Sequence, residues 1–397
     1  MAEQKLPKLT TRVRFPSPAP AFGARVVEWQ RPHGRHDLPW QATRDPYRIW
    51  LSEVMLQQTQ VTAVGPYYER FVARFPDVAA LAAASEDEVL ALWSGLGYYA
   101  RARNLHRAAQ QVVADNGGIF PSGFVPLTAL PGVGRTTAAA IAVFASGEKR
   151  AILDGNVKRV IARHAGIAGD PSSPAVVARL WDAAEARLPA RSIEAYTQGL
   201  MDLGALVCLV RAPLCSACPV AGDCVARRDD CVDDLPGKKR KAARRLERTA
   251  MLAIVSHGEV LLEKRRAAGI WGGLWSLPEM PASARPADFV RRRFGLGRAR
   301  ARKLDAFKHA FTHFTLAVTP WLVEIGVRPR TRPEPSRLGI GVRGLSLIST
   351  GCMWLPLDAI AGAALPAPVR RLLESLNPAS AARRGSGAGS PGARKRR

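Results

Sequence analysis

The sequence has no long apolar run, since no stretch approaches the ~18 uninterrupted apolar residues that a membrane-spanning helix needs. Its N-terminus offers Lys and Arg but no apolar core followed by a small-residue cleavage site, which argues against secretion. Acidic residues are also few, with 33 Asp and Glu against 58 Lys and Arg. The net charge of +25 favours an intracellular nucleic-acid-binding protein, although basic surfaces also bind acidic lipids or keep a protein soluble.

Apolar residues are not scarce, and at 47% of the chain they exclude wholesale disorder. A chain of 397 residues is too long for one ordinary core, so we expect two domains plus tails. Three segments without periodicity, residues 1–14, 236–248 and 378–397, hold +15 of the net charge of +25. The charge therefore explains non-specific binding to a polyanion and leaves the choice of target to other residues.

The change in composition along the chain predicts five segments. They are a disordered arm (1–21), a helical domain (22–235), a basic interdomain linker (236–249), a mixed α+β domain (250–377) and a disordered basic tail (378–397). A misplaced start codon is an alternative explanation of the first twenty residues.

Apolar residues at three- and four-residue spacing predict the helices of the first domain, including one near residues 49–63. Ser85 and Ser173 are predicted N-caps, because Glu88 completes a capping box and Pro174 suits the first helical position. In the second domain the pattern predicts helices near 287–294 and 366–376 and strands at 251–256, 260–264, 315–325 and 353–355.

Four of the six cysteines lie within seventeen residues, in the spacing Cys208-x6-Cys215-x2-Cys218-x5-Cys224. Four thiolates in one compact loop are suited to a tetrahedral metal ion or to a cubane iron–sulfur cluster. Zinc sites usually combine two short Cys pairs, whereas only one pair here is that close. The spacing favours an iron–sulfur cluster and leaves zinc as the alternative.

Residues 130–138 form the pattern LPGVGRTTA, in which Gly132 and Gly134 precede a predicted helix. Unpaired amides at a helix N-terminus and small glycines let a backbone approach a DNA phosphate, although a plain helix–helix turn has the same pattern. Asp154 occupies another predicted N-cap position. Its ordinary role is capping, but a helix terminus would also keep the carboxylate ionised and able to stabilise a positive intermediate.

Glu53, Gln57 and Gln60 have the i, i+4, i+7 spacing of one helical face. Such a face is usually a solvated surface. Glutamine amides are also suited to hydrogen bonds with base edges, so a nucleic-acid contact is the functional alternative.

Taken together, these motifs resemble the endonuclease III superfamily of helix–hairpin–helix DNA glycosylases, and within it the MutY-type adenine DNA glycosylases. The resemblance covers roughly residues 25–230 and continues into the second domain. Its supporting strings are LPW (38–40), DPYRIWLSEVMLQQTQV (45–61), GLGYYARARNLH (95–106), LPGVGRTTA (130–138), ILDGNVKRV (152–160) and the cysteine loop (208–224). It implies an all-α helix–hairpin–helix core with a 4Fe–4S cluster loop, followed by an α+β Nudix-like domain.

The resemblance implies hydrolytic removal of adenine mispaired with 8-oxoguanine or guanine in duplex DNA, after the adenine is flipped from the stack. It implies that Glu53 is the general acid that protonates adenine N7, that Asp154 stabilises the oxocarbenium-like sugar, and that Asn156 orients the site. The remaining DNA-binding residues that it implies are Gln57 and Gln58 in the opened stack, Tyr98 beside the oxidised guanine, and the hairpin residues Gly132, Gly134 and Thr136.

Thr136 distinguishes two subclasses by resemblance. Bifunctional relatives carry a lysine at this position, where its amine forms a Schiff base. Threonine implies a monofunctional enzyme that leaves an abasic site. Lys158, one helical turn after Asp154, is expected to contact a phosphate, with weak lyase activity as its alternative.

Residues 250–280 resemble the opening of the Nudix-like domain of this family. Magnesium-dependent Nudix hydrolases need a glutamate-rich helix, whereas residues 281–303 contain only Asp288 as an acid, so hydrolase activity is not expected. The family's 8-oxoguanine-contacting loop, Phe-Ser-His-Phe, corresponds here to Phe311-Thr312-His313-Phe314, with threonine for serine. Residues 291–303 add seven basic residues, expected near the DNA.

Two other functions remain alternatives. Thr136 and the Nudix-like extension disfavour a bifunctional pyrimidine-lesion glycosylase/lyase, and the pair Glu53 and Asp154 disfavours a non-catalytic iron–sulfur DNA-binding or redox-sensing protein. We further expect a monomer that has no membrane partner and acts on double-stranded DNA in the bacterial cytoplasm, at the nucleoid.

Overall fold

The computed structural model describes residues 19–237, 244–281, 283–297, 299–326, 346–349 and 351–377. The chain forms two compact units. The first combines the chain up to Gln57 with Phe120–Lys241, and the second combines Gln58–Ile119 with the chain from Ala242 onwards. The helical segment 58–119 therefore belongs to the same unit as the C-terminal sheet.

The described helices are α1 (Ala19–His33), α2 (Pro46–Leu56), α3 (Val61–Arg74), α4 (Val78–Ala83), α5 (Glu86–Trp93), α6 (Ala100–Asn116), α7 (Phe124–Thr128), α8 (Arg135–Ser146), α9 (Gly155–Ala165), α10 (Pro174–Glu185), α11 (Ile193–Asp202), α12 (Val225–Arg228), α13 (Pro286–Phe294) and α14 (Ala367–Leu376). Short connections separate the described helices from α1 to α11, and two more helices, α13 and α14, accompany the C-terminal sheet. Both predicted Ser caps are confirmed, since Ser85 accepts from the Glu88 N–H and Ser173 from the Val176 N–H. These caps satisfy amides that the first helical turn leaves without partners.

The core of the first unit lies among α1, α8, α9, α10 and α11. Its buried residues include Val26, Ile161, Leu180 and Leu200, each at most 2% exposed. A π-helix, Leu203–Val207, extends α11 and delivers the chain to Cys208. The packing fixes α9, whose N-terminus carries Asp154, against the segment that leads into the cysteine loop.

The described strands of the second unit form one mixed sheet. They are β1 (Arg245–Ser256), β2 (Glu259–Lys264), β3 (Trp275–Ser276), β4 (Glu279–Met280), β5 (Ala299–Lys303), β6 (Phe307–Ala310), β7 (Phe314–Ile325), β8 (Ser346–Ser349) and β9 (Cys352–Pro356). The sheet order is β5-β7-β1-β2-β9-β8, with β3 beside β2, β4 beside β1 and β6 beside β7. β1 and β7 run parallel from Arg245↔Phe314 to Val255↔Glu324, and the other pairs are antiparallel.

The predicted fold class, a helical core followed by an α+β domain, is confirmed. Two segment limits differ from the predicted ones. Helix α1 begins at Ala19, inside the predicted arm, and β1 begins at Arg245, inside the predicted linker. β1 starts early because its partner β7 is paired with it from Phe314, which extends the ladder into the basic segment. Residues 1–18, 238–243 and 378–397 lie outside the described residues.

Within the described part of the chain, no helix is both long enough and apolar enough to cross a membrane.

Candidate active site

Glu53 lies on helix α2, in which most of the other residues are buried. The helix begins with an Asp45 cap that accepts from the Tyr47 N–H, and it buries Ile49, Trp50 and Val54. Burial, followed by the nearby charge of Asp154, raises the pKa of Glu53 to about 8 from its ordinary 4.5. A carboxyl group with this pKa holds its proton near neutral pH, which is the state that a general acid requires.

Asp154 is the N-cap of α9, as predicted, and its Oδ1 accepts from the Val157 N–H at 2.7 Å. The helix terminus was expected to keep Asp154 ionised, but burial raises the pKa of Asp154. The N–H groups of Val157 and Asn156 and the charge of Arg159 oppose that rise. Only burial and the Asp154 charge act on Glu53, so of the two side chains Asp154 is the one that is stabilised as a carboxylate.

Asn156 is held by Arg159, a residue that the sequence motifs did not single out. Arg159 Nη2 donates to Asn156 Oδ1 at 3.0 Å and to the Gly204 carbonyl at 2.6 Å, while its Nε donates to the Cys208 carbonyl at 2.7 Å. Gly204 permits this approach, since a Cβ there would lie 2.6 Å from Asn156 Cβ. The available signal was the position of Arg159, three residues after Asn156 on a helix.

The predicted continuous helix over 49–63 is wrong. Helix α2 ends at Leu56, Gln57 is its C-cap, and α3 starts only at Val61. Gln58 has φ +58°, a left-handed conformation that ends the helix. Glu53, Gln57 and Gln60 therefore do not share one helical face, and Gln57 Nε2 instead donates to Thr137 Oγ1 at 3.2 Å.

The predicted hairpin forms as expected before α8. Gly132 has φ +78°, which favours glycine, and Gly134 is the N-cap of α8 without a side-chain cap. A Cβ at Gly134 would meet open space, so the free fold does not require glycine there. Thr136 lies in the first turn of α8. Uncapped amides at this helix terminus suit an anion.

Lys158 lies on α9, and its Nζ donates to the Pro171 carbonyl at 3.4 Å. This bond directs the amine to a neighbouring loop in the free protein. Its predicted phosphate contact stays a prediction.

The other predicted recognition residues belong to the second unit. Tyr98 is 49% exposed and has φ +48°. Thr312 and His313 are exposed in the short connection between β6 and β7, where the Phe311 N–H donates to the Phe314 carbonyl at 2.8 Å. The rings of Phe311 and Phe314 stack at 4.8 Å, and Phe311 also contacts Trp271 at 5.6 Å. The aromatic base leaves the two polar side chains at the tip free to contact a ligand.

The four predicted metal-ligating cysteines, Cys208, Cys215, Cys218 and Cys224, line one cavity. Burial first, and then the charges of the neighbouring cysteines, raise the pKa of Cys218 to about 11. Arg163 Nη1 donates to Cys208 Sγ at 3.3 Å. Four thiolates gathered in a buried site repel one another unless cations bind them, so this donor set fits a metal group.

The donors in the described residues do not converge on one ion. No group of three or more His, Cys, Asp or Glu side chains in that part of the chain is placed to hold a single metal ion. One zinc ion would need its thiolates at about 2.3 Å from a common centre. A cluster instead takes its thiolates at separate iron atoms.

Comparison with known proteins matches each of the two regions of the chain to a protein family. Residues 51–186 match the model of the "HhH-GPD superfamily base excision DNA repair protein", and residues 250–375 match the model of the "NUDIX domain". The "Adenine DNA glycosylase" of Buchnera aphidicola subsp. Schizaphis graminum is 32% identical over 89% of this chain and 98% of its own length. The chain belongs to the adenine DNA glycosylase family.

Other members of the adenine DNA glycosylase family match less of their own length. The Homo sapiens "Adenine DNA glycosylase" is 35% identical over 75% of this chain and 65% of its own length. Among solved structures, that of a thermostable thymine-DNA glycosylase is 30% identical, with a TM-score of 0.49, and covers 53% of this chain and 97% of that one.

Proposed function

We propose that this chain is a monofunctional adenine DNA glycosylase that hydrolyses the N-glycosidic bond of adenine opposite 8-oxoguanine or guanine in duplex DNA. Family membership supports the reaction class. The observation that carries the proposal is the pair Glu53 and Asp154, two half-buried acids of which Glu53, with a pKa of about 8, retains its proton at neutral pH. A glycosidic bond of this kind breaks when the base is protonated and the sugar cation is stabilised.

In the proposed reaction, the flipped adenine receives the Glu53 proton at N7, and the bonding pair of C1′–N9 leaves with the base. Asp154 stabilises the positive charge that develops on the sugar. Water then adds to C1′, and the Glu53 carboxylate takes up its proton. Asn156, fixed by Arg159, orients the sugar and water. The products are adenine and an abasic site, and Glu53 recovers its proton.

The DNA contacts proposed for the first unit are in two groups. The α8 amides after Gly132 and Gly134, with Thr136, bind a phosphate, and Lys158 binds a second one. Gln57 enters the opened base stack, which requires it to leave Thr137. In the second unit, Gln58 and Tyr98 contact the stack around the oxidised guanine, and the Phe311–Phe314 loop reads it through Thr312 and His313.

We also propose that the four cysteines bind a 4Fe–4S cluster. The shared cavity supports a metal group, and the cysteine spacing, with only one short Cys pair, favours a cluster over zinc. When bound, such a group crosslinks its four thiolates and fixes the loop that contains them. Arg159 and Arg163 then hold the loop backbone against α9 through the carbonyls of Cys208 and Leu209. Iron and zinc content of the purified protein, with its visible absorption spectrum, distinguishes the two groups.

Single-turnover excision tests the proposed activity. Purified chain should release adenine from A·8-oxoguanine and A·G duplexes but not from A·T, and the strand should break only after alkali. Glu53→Gln should abolish release, whereas Glu69→Gln, at an exposed glutamate of α3, should retain it. No release by the wild type from A·8-oxoguanine would refute the proposal, and strand breakage without alkali would indicate the bifunctional alternative.

The cellular setting follows from this substrate. We propose that the enzyme acts as a monomer on chromosomal DNA in the bacterial cytoplasm. A sedimentation profile of the free protein and of its DNA complex tests the monomer.

A further inference from the structure

The loop between α5 and α6 holds Tyr98 in an unusual backbone. Gly95, Gly97 and Tyr98 have φ values of +112°, +74° and +48°. A tyrosine in the left-handed region is strained, so surrounding contacts must hold it there. The ring is 49% exposed, and it can act on a partner only if the backbone beneath it is fixed.

Arg101 holds the loop from the inside. Its side chain is buried, and Nη2 donates to the carbonyls of Leu96 at 3.4 Å and Gly97 at 3.2 Å, as well as to Thr59 Oγ1 at 3.0 Å. The guanidinium carbon lies 5.6 Å from the centre of the Tyr98 ring. These contacts hold the backbone of Leu96 and Gly97 in the middle of the loop.

Arg370 of α14 holds the beginning of the same loop from the C-terminal domain. Its Nη2 donates to Ser94 Oγ at 3.0 Å, and Ser94 Oγ donates in turn to the Leu365 carbonyl at 2.6 Å. The guanidinium also donates to the carbonyls of Ile360 at 3.2 Å, Ala361 at 2.6 Å and Ala363 at 2.7 Å. Its direction is therefore fixed by its own domain before it meets Ser94.

Ser94 has little freedom to move away from this contact. It is the C-cap of α5, and its carbonyl accepts from the Tyr67 hydroxyl at 3.1 Å. A Cβ at the next residue, Gly95, would collide with the same hydroxyl. Because these contacts hold the backbone around Ser94, a displacement of Ser94 would also displace the loop that carries Tyr98.

A second set of contacts keeps the two parts of the unit together beside this point. Asp87 is 5% exposed, pairs with Lys264 and accepts from Trp275 Nε1 at 3.2 Å. Arg103 donates to the Gly272 carbonyl. The Arg370–Ser94 contact thus lies in a packed, hydrogen-bonded interface, where the loss of one partner has a measurable cost.

We propose that Arg370 is a positioning residue for Tyr98, acting through Ser94. The C-terminal domain would then do more than read the oxidised guanine, because it would also fix the side chain that enters the stack beside that base. This inference rests on the proposed function for the role of Tyr98.

A double-mutant cycle in the full-length chain tests the coupling. Arg370→Ala should lower the single-turnover rate on an A·8-oxoguanine duplex roughly tenfold, about the effect of one charge-assisted hydrogen bond. In a Tyr98→Ala background the same change should cost less than about twofold, because the residue through which Arg370 acts is already gone. A 2-aminopurine beside the 8-oxoguanine should likewise lose its unstacking signal in both single variants.

Matched variants separate positioning from folding. Arg371→Ala removes the adjacent, exposed arginine of α14, and its effect should add to that of Tyr98→Ala. Ser94→Ala should reproduce the effect of Arg370→Ala, and Ser94→Thr, which keeps the hydroxyl, should restore the rate. If Arg370→Ala does not fold, as thermal melting would show, Ser94→Ala takes its place in the cycle.

The outcomes distinguish this inference from the function on which it rests. A wild type that releases no adenine contradicts the proposed function. A wild type that releases adenine, combined with Arg370 and Ser94 effects that simply add to the Tyr98 effect, refutes the positioning role alone.

Discussion

The protonated Glu53 should make the fold less stable as the pH rises, and Glu53→Gln isolates this effect. The pKa of Glu53 is about 8 in the folded chain against an ordinary 4.5. Between these values the unfolded chain releases a proton that the folded chain retains, so stability is lost as pH rises from 4.5 to 8. Glutamine has nearly the same shape and never ionises, and it should escape the loss.

The size of the effect follows from the two pKa values. One pKa unit corresponds to about 1.4 kcal/mol, so ionisation of the unfolded chain costs the fold about 1 kcal/mol at pH 5 and about 3 kcal/mol at pH 7. The stability advantage of Glu53→Gln over the wild type should therefore grow by about 2 kcal/mol between these two conditions.

Hydrogen exchange provides the measurement, since the chain has two compact units and one global transition is not expected. The opening free energy of the α2 amides should be compared for wild type and Glu53→Gln at both pH values, after correction for intrinsic exchange. Glu69→Gln, at an exposed glutamate of α3, is the control variant measured in parallel. An advantage of Glu53→Gln that is equal at pH 5 and pH 7 would refute the raised pKa.

The same proton sets the upper pH limit of activity. Glu53 can donate only while it is protonated, so single-turnover excision should decline as pH rises through about 8. A rate that stays level to well above that value would mean that another group supplies the proton.

Two further predictions concern DNA recognition. Gly134→Ala should change the free energy of unfolding by no more than about 0.5 kcal/mol, because its Cβ meets open space, and thermal melting checks this. The same variant should weaken DNA binding roughly tenfold, because the added Cβ obstructs the phosphate. Fluorescence anisotropy measures the affinity, and an unchanged value would contradict the phosphate site. His313→Ala should reduce the preference for A·8-oxoguanine over A·G while leaving the A·G rate nearly unchanged; an equal loss on both duplexes would assign His313 to general DNA contact instead.

Local chemistry made the caps and the acidic residue at the helix terminus predictable. Each cap has a short side chain that accepts a hydrogen bond from the backbone N–H three residues later, as in Ser85, Ser173 and Asp154. No distant contact is needed to place these residues. The helical core and the longer strands could likewise be found from periodicity. The two-residue strands β3 and β4 could not, because only their pairing with β2 and β1 defines them.

The end of α2 and the contacts through which Arg159 holds Asn156 show why the site itself was harder to predict. Residues 57–60 continue a pattern that favours helix, but Gln57 is bound to Thr137, eighty residues away, and Gln58 turns into the left-handed region. Arg159 reaches Gly204 and Cys208 across separations of 45 and 49 residues. Sequence spacing carries no information on such partners, since tertiary contacts override local preference.

The partition of the chain into its two units has a consequence for how such a protein can be built. The segment 58–119 sits in the sequence between Glu53 and the hairpin, yet it shares its unit with the C-terminal sheet. A protein ending before Arg245 would leave the Asp87 carboxylate without Lys264 and Trp275, and Ser94 without Arg370. The C-terminal domain is thus not an interchangeable module added to a finished catalyst. Exchanging it between relatives would require its partner surface on α5 and α6 to be exchanged with it.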